Sequence, residues 1–298
     1  MATILDFKEK PSLFSAYLNI FTPGRAKYAG LDKLPRTEAH WSAARETPEK
    51  IQAYREACGF GNDGKLPLLY PHVLTSAMHI HMLANKEFPA SALGAVHARN
   101  HILQRRQIGE NEAVDLTCAF GDVRVLKPGL EVDVITKVHA SGTCVWESVS
   151  AYLFRGRKFG EIMEASTLAA FDELAEPSIK AQWHVPRNMG RRYAGITGDY
   201  NPIHVSKLLA KAFGFKRDII HGMWALAKCL VHFQELDYNK SLRLDVAFKG
   251  PVFMDSDCFM KGHEAQEGYR FDLYCGKNPR PSIVGAIRKV AEDETLLS

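Results

Sequence analysis

Residues 223–233, Met-Trp-Ala-Leu-Ala-Lys-Cys-Leu-Val-His-Phe, are apolar almost all round. A helix made from such a run has no face to give to water, so other structure must enclose it on most sides. The segments that follow read as strands: Leu242 to Phe248, Asp257 to Lys261, Tyr269 to Cys275 and Ser282 to Val290. Pro251 suits a strand edge or a bulge, since it cannot donate to a ladder. These elements predict a sheet wrapped around one long buried helix.

The same order of elements occurs earlier in the chain. Tyr70-Pro71-His72 opens an apolar stretch to Leu83, followed by strand candidates Val96 to Ile108, Ala113 to Leu126, Leu130 to His139 and Thr143 to Phe154. Gly109-Glu110, Pro128-Gly129 and Ser141-Gly142 separate them as turns. Val132 and Val134 alternate with Glu131 and Asp133, the pattern of a sheet with one buried face. Upstream, residues 48–59 align with residues 187–198 at a constant offset of 139, each a Pro-led helix ending at a glycine. The chain is thus an internal repeat, an α+β fold in two similar halves with antiparallel sheets. The expected organisation is a leader over 1–34, a first half over 35–172, a linker over 173–185 and a second half over 186–298. Within the leader, Leu13 to Phe21 is an amphipathic patch, read as a short docking helix or a loose tail.

Length and composition exclude several classes. In 298 residues, 46% are hydrophobic and 24% charged, which suits folded domains rather than disorder. Net charge is only +4, too weak to point to a nucleic-acid partner. Six scattered cysteines without a CxxC pair read as reduced thiols, and no metal framework is expected. Asp6, Lys8, Glu9 and Lys10 interrupt the N-terminus where a secretory signal needs an apolar stretch. With no apolar run of spanning length, a cytoplasmic location is the expectation.

The most informative stretch is Tyr193-Ala-Gly-Ile-Thr-Gly-Asp199-Tyr-Asn201-Pro202-Ile-His204, continuing to Ala210. Pro202 starts a helix, Asn201 caps it and Gly214 stops it. On one continuous helix Asp199 and His204 would point about 140° apart; a turn can aim both at one point. A carboxylate beside an imidazole can hold and polarise a water, the minimum apparatus for acid–base addition or removal of water.

This stretch resembles the signature of the MaoC-like dehydratases, the (R)-specific enoyl-CoA hydratases, with every position filled: Tyr, Thr, Gly, Asp-x-Asn-Pro-Ile-His and a small residue at Ala210. The resemblance implies a hot dog fold, doubled here, over residues from about 35 to 298. It implies that Asp199 and His204 position a water that adds to C3 of a trans-2-enoyl thioester, with Asn201 orienting Asp199 or the substrate. A backbone N–H at the start of the central helix, with Gly222 as the candidate, would meet the thioester carbonyl. No cofactor and no metal is implied. The partner would be a thioester of coenzyme A or of an acyl carrier protein, in fatty acid metabolism; a homodimer is left open. A hot dog acyl-thioesterase or a non-catalytic acyl-thioester-binding protein would share fold and carrier.

The first half departs from the motif. At the offset of 139, Asp199 falls on Phe60 and His204 on Lys65, although Asn201 falls on Asn62. One active site per chain is expected, the first half giving support and room for an acyl tail. Residues 180–228 carry nine basic and two acidic side chains, a local net charge of +7. Arg191, Arg192 and Lys216 are the candidates there for carrier phosphates. Gly59-Phe-Gly61-Asn-Asp-Gly64 matches a dinucleotide fingerprint but follows a helix pattern, so it reads as a helix end and turn. His79, His81, His97 and His101 read as core or interface histidines, and Cys144 as a structural thiol.

Overall fold

A computed structural model of the chain describes residues 3–20, 24–31, 34–92, 95–155, 159–164, 171, 174, 176–233 and 235–296. The first half runs β1 (Thr3–Phe7), α1 (Leu13–Ile20), β2 (Thr37–Ala44), α2 (Pro48–Cys58), α3 (Tyr70–Ala84), β3 (Val96–Gln104), β4 (Val114–Leu126), β5 (Gly129–Ala140) and β6 (Thr143–Arg155). The second runs β7 (Ile179–Val185), α4 (Met189–Thr197), α5 (Pro202–Val205), α6 (Lys207–Ala212), α7 (Gly222–Leu230), β8 (Leu242–Phe248), β9 (Ser256–Ala265), β10 (Gly268–Cys275) and β11 (Ile283–Lys289).

All eleven strands form one sheet, ordered β1-β2-β4-β5-β6-β3-β8-β11-β10-β9-β7. Read outward from the β3–β8 seam, the halves have the same connectivity: β3, β6, β5, β4, β2 on one side and β8, β11, β10, β9, β7 on the other. The repeat seen in the sequence is therefore a pseudo-twofold in space. The seam is an antiparallel ladder in which His101 faces Asp245 and Leu103 faces Arg243. The His101 imidazole bonds Asp245 through Nδ1 and Oδ1 at 2.7 Å, and Arg243 reaches the same carboxylate. Burial pushes the Asp245 pKa up, but His101 and Arg243 outweigh it and hold the carboxyl below its usual range.

The two central helices, α3 and α7, are buried along most of their length. They share one core that includes Met78, Phe88, Trp224 and Phe271. The indole of Trp224 on α7 donates to the carbonyl of Ala57 near the end of α2 at 2.8 Å, which ties the halves together away from the seam. This is the predicted α+β architecture of two similar halves, each with a central helix, although their strands join in one continuous sheet.

Several expectations change. Residues 173–185 were expected as a linker, but Ile179–Val185 is strand β7 on β9; residues 173 and 175 lie outside the described residues. Its inward side chains, Ile179, Ala181 and Trp183, alternate with exposed Lys180 and Gln182, the period of a half-buried strand. The described residues of the leader, 3–20, 24–31 and 34, are not a loose tail. The expected docking helix is present as α1, and β1 adds to β2 in parallel, so the sheet is not wholly antiparallel. The helix expected between Asn201 and Gly214 breaks at Ser206, whose hydroxyl accepts from the Leu209 amide at 3.3 Å and starts α6. No helix among the described residues is long and apolar enough to cross a membrane.

Candidate active site

Helix α4 ends at Gly198, whose left-handed φ of 84° turns the chain sharply. Side chains then staple the turn. Thr197 Oγ1 accepts from the Asp199 amide at 3.3 Å, Asp199 Oδ1 from the Asn201 amide at 3.1 Å, and Asn201 Oδ1 from the Ile203 amide at 3.4 Å. Asn201 is thus the predicted N-cap, with Pro202 in the first turn. One turn of α5 delivers His204, whose Nδ1 lies 2.9 Å from the Ile219 carbonyl. A carbonyl only accepts, so Nδ1 carries the proton and Nε2 keeps its lone pair.

His221, immediately before α7, completes the cluster. Its Nε2 donates to the Asp199 carbonyl at 2.8 Å and lies 3.7 Å from Asp199 Oδ2. Its ring stacks on His204 with centroids 3.8 Å apart and packs at a tilt against Tyr193 at 4.9 Å. Both imidazoles are buried, whereas the Asp199 side chain keeps 31% of its exposure. Burial, reinforced by His221, pulls the His204 pKa down to about 3 against the opposing pull of Asp199. Burial lowers His221 as well, again against Asp199. The result is a carboxylate open to a cavity beside two neutral imidazoles.

That cavity is about 400 Å³ and both halves line it. Asp199, Asn201, His204, His221 and Gly222 belong to its wall. Gly222 opens α7, where first-turn amides lack intrahelical acceptors. A side chain there would meet Phe248, another wall residue, with a Cβ only 2.9 Å from its ring, so the missing side chain also lets that ring close on the helix. Arg191, Arg192 and Lys216 are exposed and off the wall; Arg191 Nε donates to the Val205 carbonyl at 3.2 Å. The cations that do line the cavity are Arg155 and Lys249.

The first-half counterparts take no part in this wall. Phe60, Asn62 and Lys65 are absent from it, and Asn62 Oδ1 accepts from the Gly64 amide at 3.1 Å as a turn. Gly59 is the left-handed cap of α2, as the helix-end reading expects. Sequence reasoning missed His221 as a site residue, although it directly precedes the chosen Gly222. It also missed His72, His97 and Tyr152, which reach the cavity from the first half. Of the four crowded histidines, His79 bridges Tyr152 and Thr136 at 3.0 and 2.8 Å in the core, and His101 sits at the seam.

Asp199, His204 and His221 also have ligand-type atoms within 4.8 Å of one another. A tetrahedral ion needs lone pairs converging on one point. Two rings stacked only 29° from parallel send theirs side by side, and Nδ1 of His204 is already committed to Ile219. The donor set suits a water better than an ion.

Buried neutral histidines make stability depend on pH. Burial pulls His72 down to about 4 and His204 to about 3, with Asp199 raising each less than burial lowers it. Unfolded, both titrate near their ordinary value of about 6.5. Between these values the unfolded chain binds more protons than the folded one. Their stabilisation is therefore complete above about pH 6.5 and is lost as pH falls towards 4 and then 3. Each group contributes a few kcal/mol, at roughly 1.4 kcal/mol per pKa unit. Urea midpoints are expected to fall between pH 7 and 4, less steeply in His72→Leu; a flat profile would show that these rings are not held neutral.

Comparison with known proteins places this site in a family context. Residues 173–276 match the MaoC like domain. The 3-hydroxyacyl-thioester dehydratase X of Mycobacterium tuberculosis is 28% identical over 257 residues, covering 86% of this chain and 91% of that protein. The crystal structure of HtdX from the same organism superposes with a TM-score of 0.73 at 26% identity, over 85% of this chain and all of that one. A MaoC-like dehydratase from Phytophthora capsici gives 0.73 at 17% identity, over 88% and 98%. A second Mycobacterium tuberculosis protein, described as a double hot dog, gives 0.57 at 10% identity, over 90% and 99%, which supports the fold alone. Residues 173–276 thus match a MaoC like domain on a double hot dog scaffold, and the turn bearing Asp199 and His204 lies inside the matched residues.

Proposed function

We propose that the protein interconverts trans-2-enoyl and (R)-3-hydroxyacyl thioesters by adding and removing water at Asp199 and His204. The observation that carries the reading is the half-open Asp199 carboxylate beside His204, whose tautomer is set by Ile219 and whose Nε2 is free to accept. A water donating one hydrogen bond to each has its oxygen lone pair directed away from both, toward C3 of a bound enoyl group. As that oxygen bonds to C3, one proton passes to the Asp199–His204 pair, and the pair supplies a proton to C2. The negative charge on the thioester oxygen in between meets the backbone N–H of Gly222 at the start of α7. Dehydration is the same path reversed.

The (R) outcome and the thioester carrier rest on the motif and on the relatives. Coenzyme A and an acyl carrier protein both fit a mouth with Arg155 and Lys249, and both halves lining the cavity supports acyl-tail room in the first half. The reading assigns one active site per chain, to residues 186–298, in cytoplasmic fatty acid metabolism.

The test is the loss of conjugated enoyl absorbance with crotonyl-CoA, trans-2-octenoyl-CoA and their acyl carrier protein thioesters, with chiral analysis of the product. Formation of the (R)-3-hydroxyacyl thioester without free thiol is expected. Thiol release would instead assign a thioesterase, and no reaction with any of the four would sink the proposal.

A further inference from the structure

The cavity wall contributed by the first half is not a plain hydrocarbon surface. His72, from the first turn of α3, His97, from β3, and Tyr152, from β6, stack through it in sequence: His72 on His97 with centroids 5.2 Å apart, and His97 on Tyr152 at 5.1 Å. His72 is only 6% exposed, and neither of its ring nitrogens has a hydrogen-bond partner among the described residues; Nδ1 is wholly buried as well. His97 Nε2 is buried and without a partner in the same way. Tyr152 is held from behind by His79, which leans in turn on Thr136.

Leaving a buried nitrogen unpaired forfeits its full hydration, so such groups persist where something else satisfies them. Two imidazoles in one wall, each with a ring nitrogen that no described group satisfies, form a built recognition surface; the other nitrogen of His97 is taken by the backbone of Arg99. An alkyl tail filling the cavity would leave both nitrogens without a partner. We propose that the acyl group this enzyme takes carries a neutral hydrogen-bonding oxygen, a hydroxyl or a keto group, on the carbons beyond the double bond, and that His72 and His97 recognise it. Burial holds His72 neutral, with its pKa at about 4, and His97 lies well below its usual range. A neutral imidazole offers one donor and one acceptor; His72 has both to give, whereas His97 spends one ring nitrogen on the backbone of Arg99 and offers Nε2 alone, which together match a hydroxyl or keto oxygen and give no charge to pair with a second carboxylate. The wall around the rings is apolar, with Val73, Ile80 and Val96, and suits the carbons on either side.

This inference rests on the thioester hydratase reading, and one experiment separates the two. The kcat/KM for hydration is measured for trans-2-octenoyl-CoA and for analogues with a hydroxyl at each carbon from the fifth to the eighth. A site built to bond a substrate oxygen rejects the analogue that lacks it far more than an apolar slot distinguishes a methylene. At least one hydroxylated compound is expected to exceed the plain chain by about tenfold or more. In His72→Leu and His97→Phe that ratio should collapse toward one, while His72→Gln, which keeps hydrogen-bonding atoms, should restore part of it. If the wild type hydrates octenoyl-CoA and gains from none of the hydroxyls, or if the ratio survives both apolar variants, the inference is wrong although the hydratase reading stands. If it hydrates none of these compounds or their carrier-protein forms, the hydratase reading falls and takes the inference with it.

Discussion

Asp199→Asn is expected to slow hydration of trans-2-octenoyl-CoA by about 10²–10⁴-fold, the range for losing a general acid–base group. The substitution isolates the charge from the fold. Asp199 Oδ1 accepts from the Asn201 amide, and an amide oxygen at the same place can accept that bond too. The turn, the cap on α5 and the position of His204 should therefore survive, with a melting temperature close to wild type. What disappears is the carboxylate that, on the proposed path, takes a proton from water and returns one to carbon. His204→Ala is expected to lose a similar factor through the other side of the water, with some stability lost because the Ile219 carbonyl loses its donor. A folded Asp199→Asn protein that still hydrates the enoyl thioester within a few-fold of wild type would remove Asp199 from the chemistry.

Gly190→Ala should damage the site without touching a reacting group. A Cβ at position 190 would lie 2.1 Å from the backbone carbonyl oxygen of His204 and 2.1 Å from Met254 Cε. The methionine end can swing aside, but the carbonyl belongs to α5 and cannot move without its helix. Either α4 and α5 separate or the turn between them deforms, and both displace His204 from Asp199. Overpacking of this kind costs about 1–3 kcal/mol and more when backbone is the obstacle, which at this chain length lowers the melting temperature by roughly 2–5 °C or more. The rate should fall with it, since a misplacement of about 1 Å can cost 10²-fold. Gly195→Ala on the same helix is the control. Its Cβ would meet only the Tyr200 hydroxyl at 3.7 Å, so stability should hold or rise by up to about 1 kcal/mol from better helix propensity. If Gly190→Ala melts and turns over like wild type, the close approach of α4 to His204 is not what sets the geometry of the pair.

Most of the strands were legible because each has a face to bury and a face to shed, and a period of two survives in the residue order. Leu242 to Phe248 was predicted to the residue, whereas the Glu131 and Asp133 side of β5, expected to face water, is buried because Arg99 and Arg124 pair with both carboxylates. The strands that were missed carry weak signals for physical reasons. Thr3–Phe7 is a short edge strand with half-buried residues, and its partner β2 lies more than thirty residues away. Ile179–Val185 has the right alternation but sits among charged residues at the other edge, where half of each side chain faces water.

Local chemistry dictated the turn at the heart of the site. Gly198, Asp199, Asn201 and Pro202 specify a cap and a reversal through bonds between neighbours, so Asp199, Asn201 and His204 could be chosen from the sequence. His221, His72, His97 and Tyr152 could not. They come from the start of α7, from α3, from β3 and from β6, and only the joining of the two halves across the β3–β8 seam brings them to one cavity. The sequence determined the repeat, the wrapped helices and the turn bearing Asp199 and His204 because those depend on residues near one another along the chain. The tertiary structure decided what faces that turn, because the opposite wall is assembled from the other half of the molecule and leaves no spacing to read.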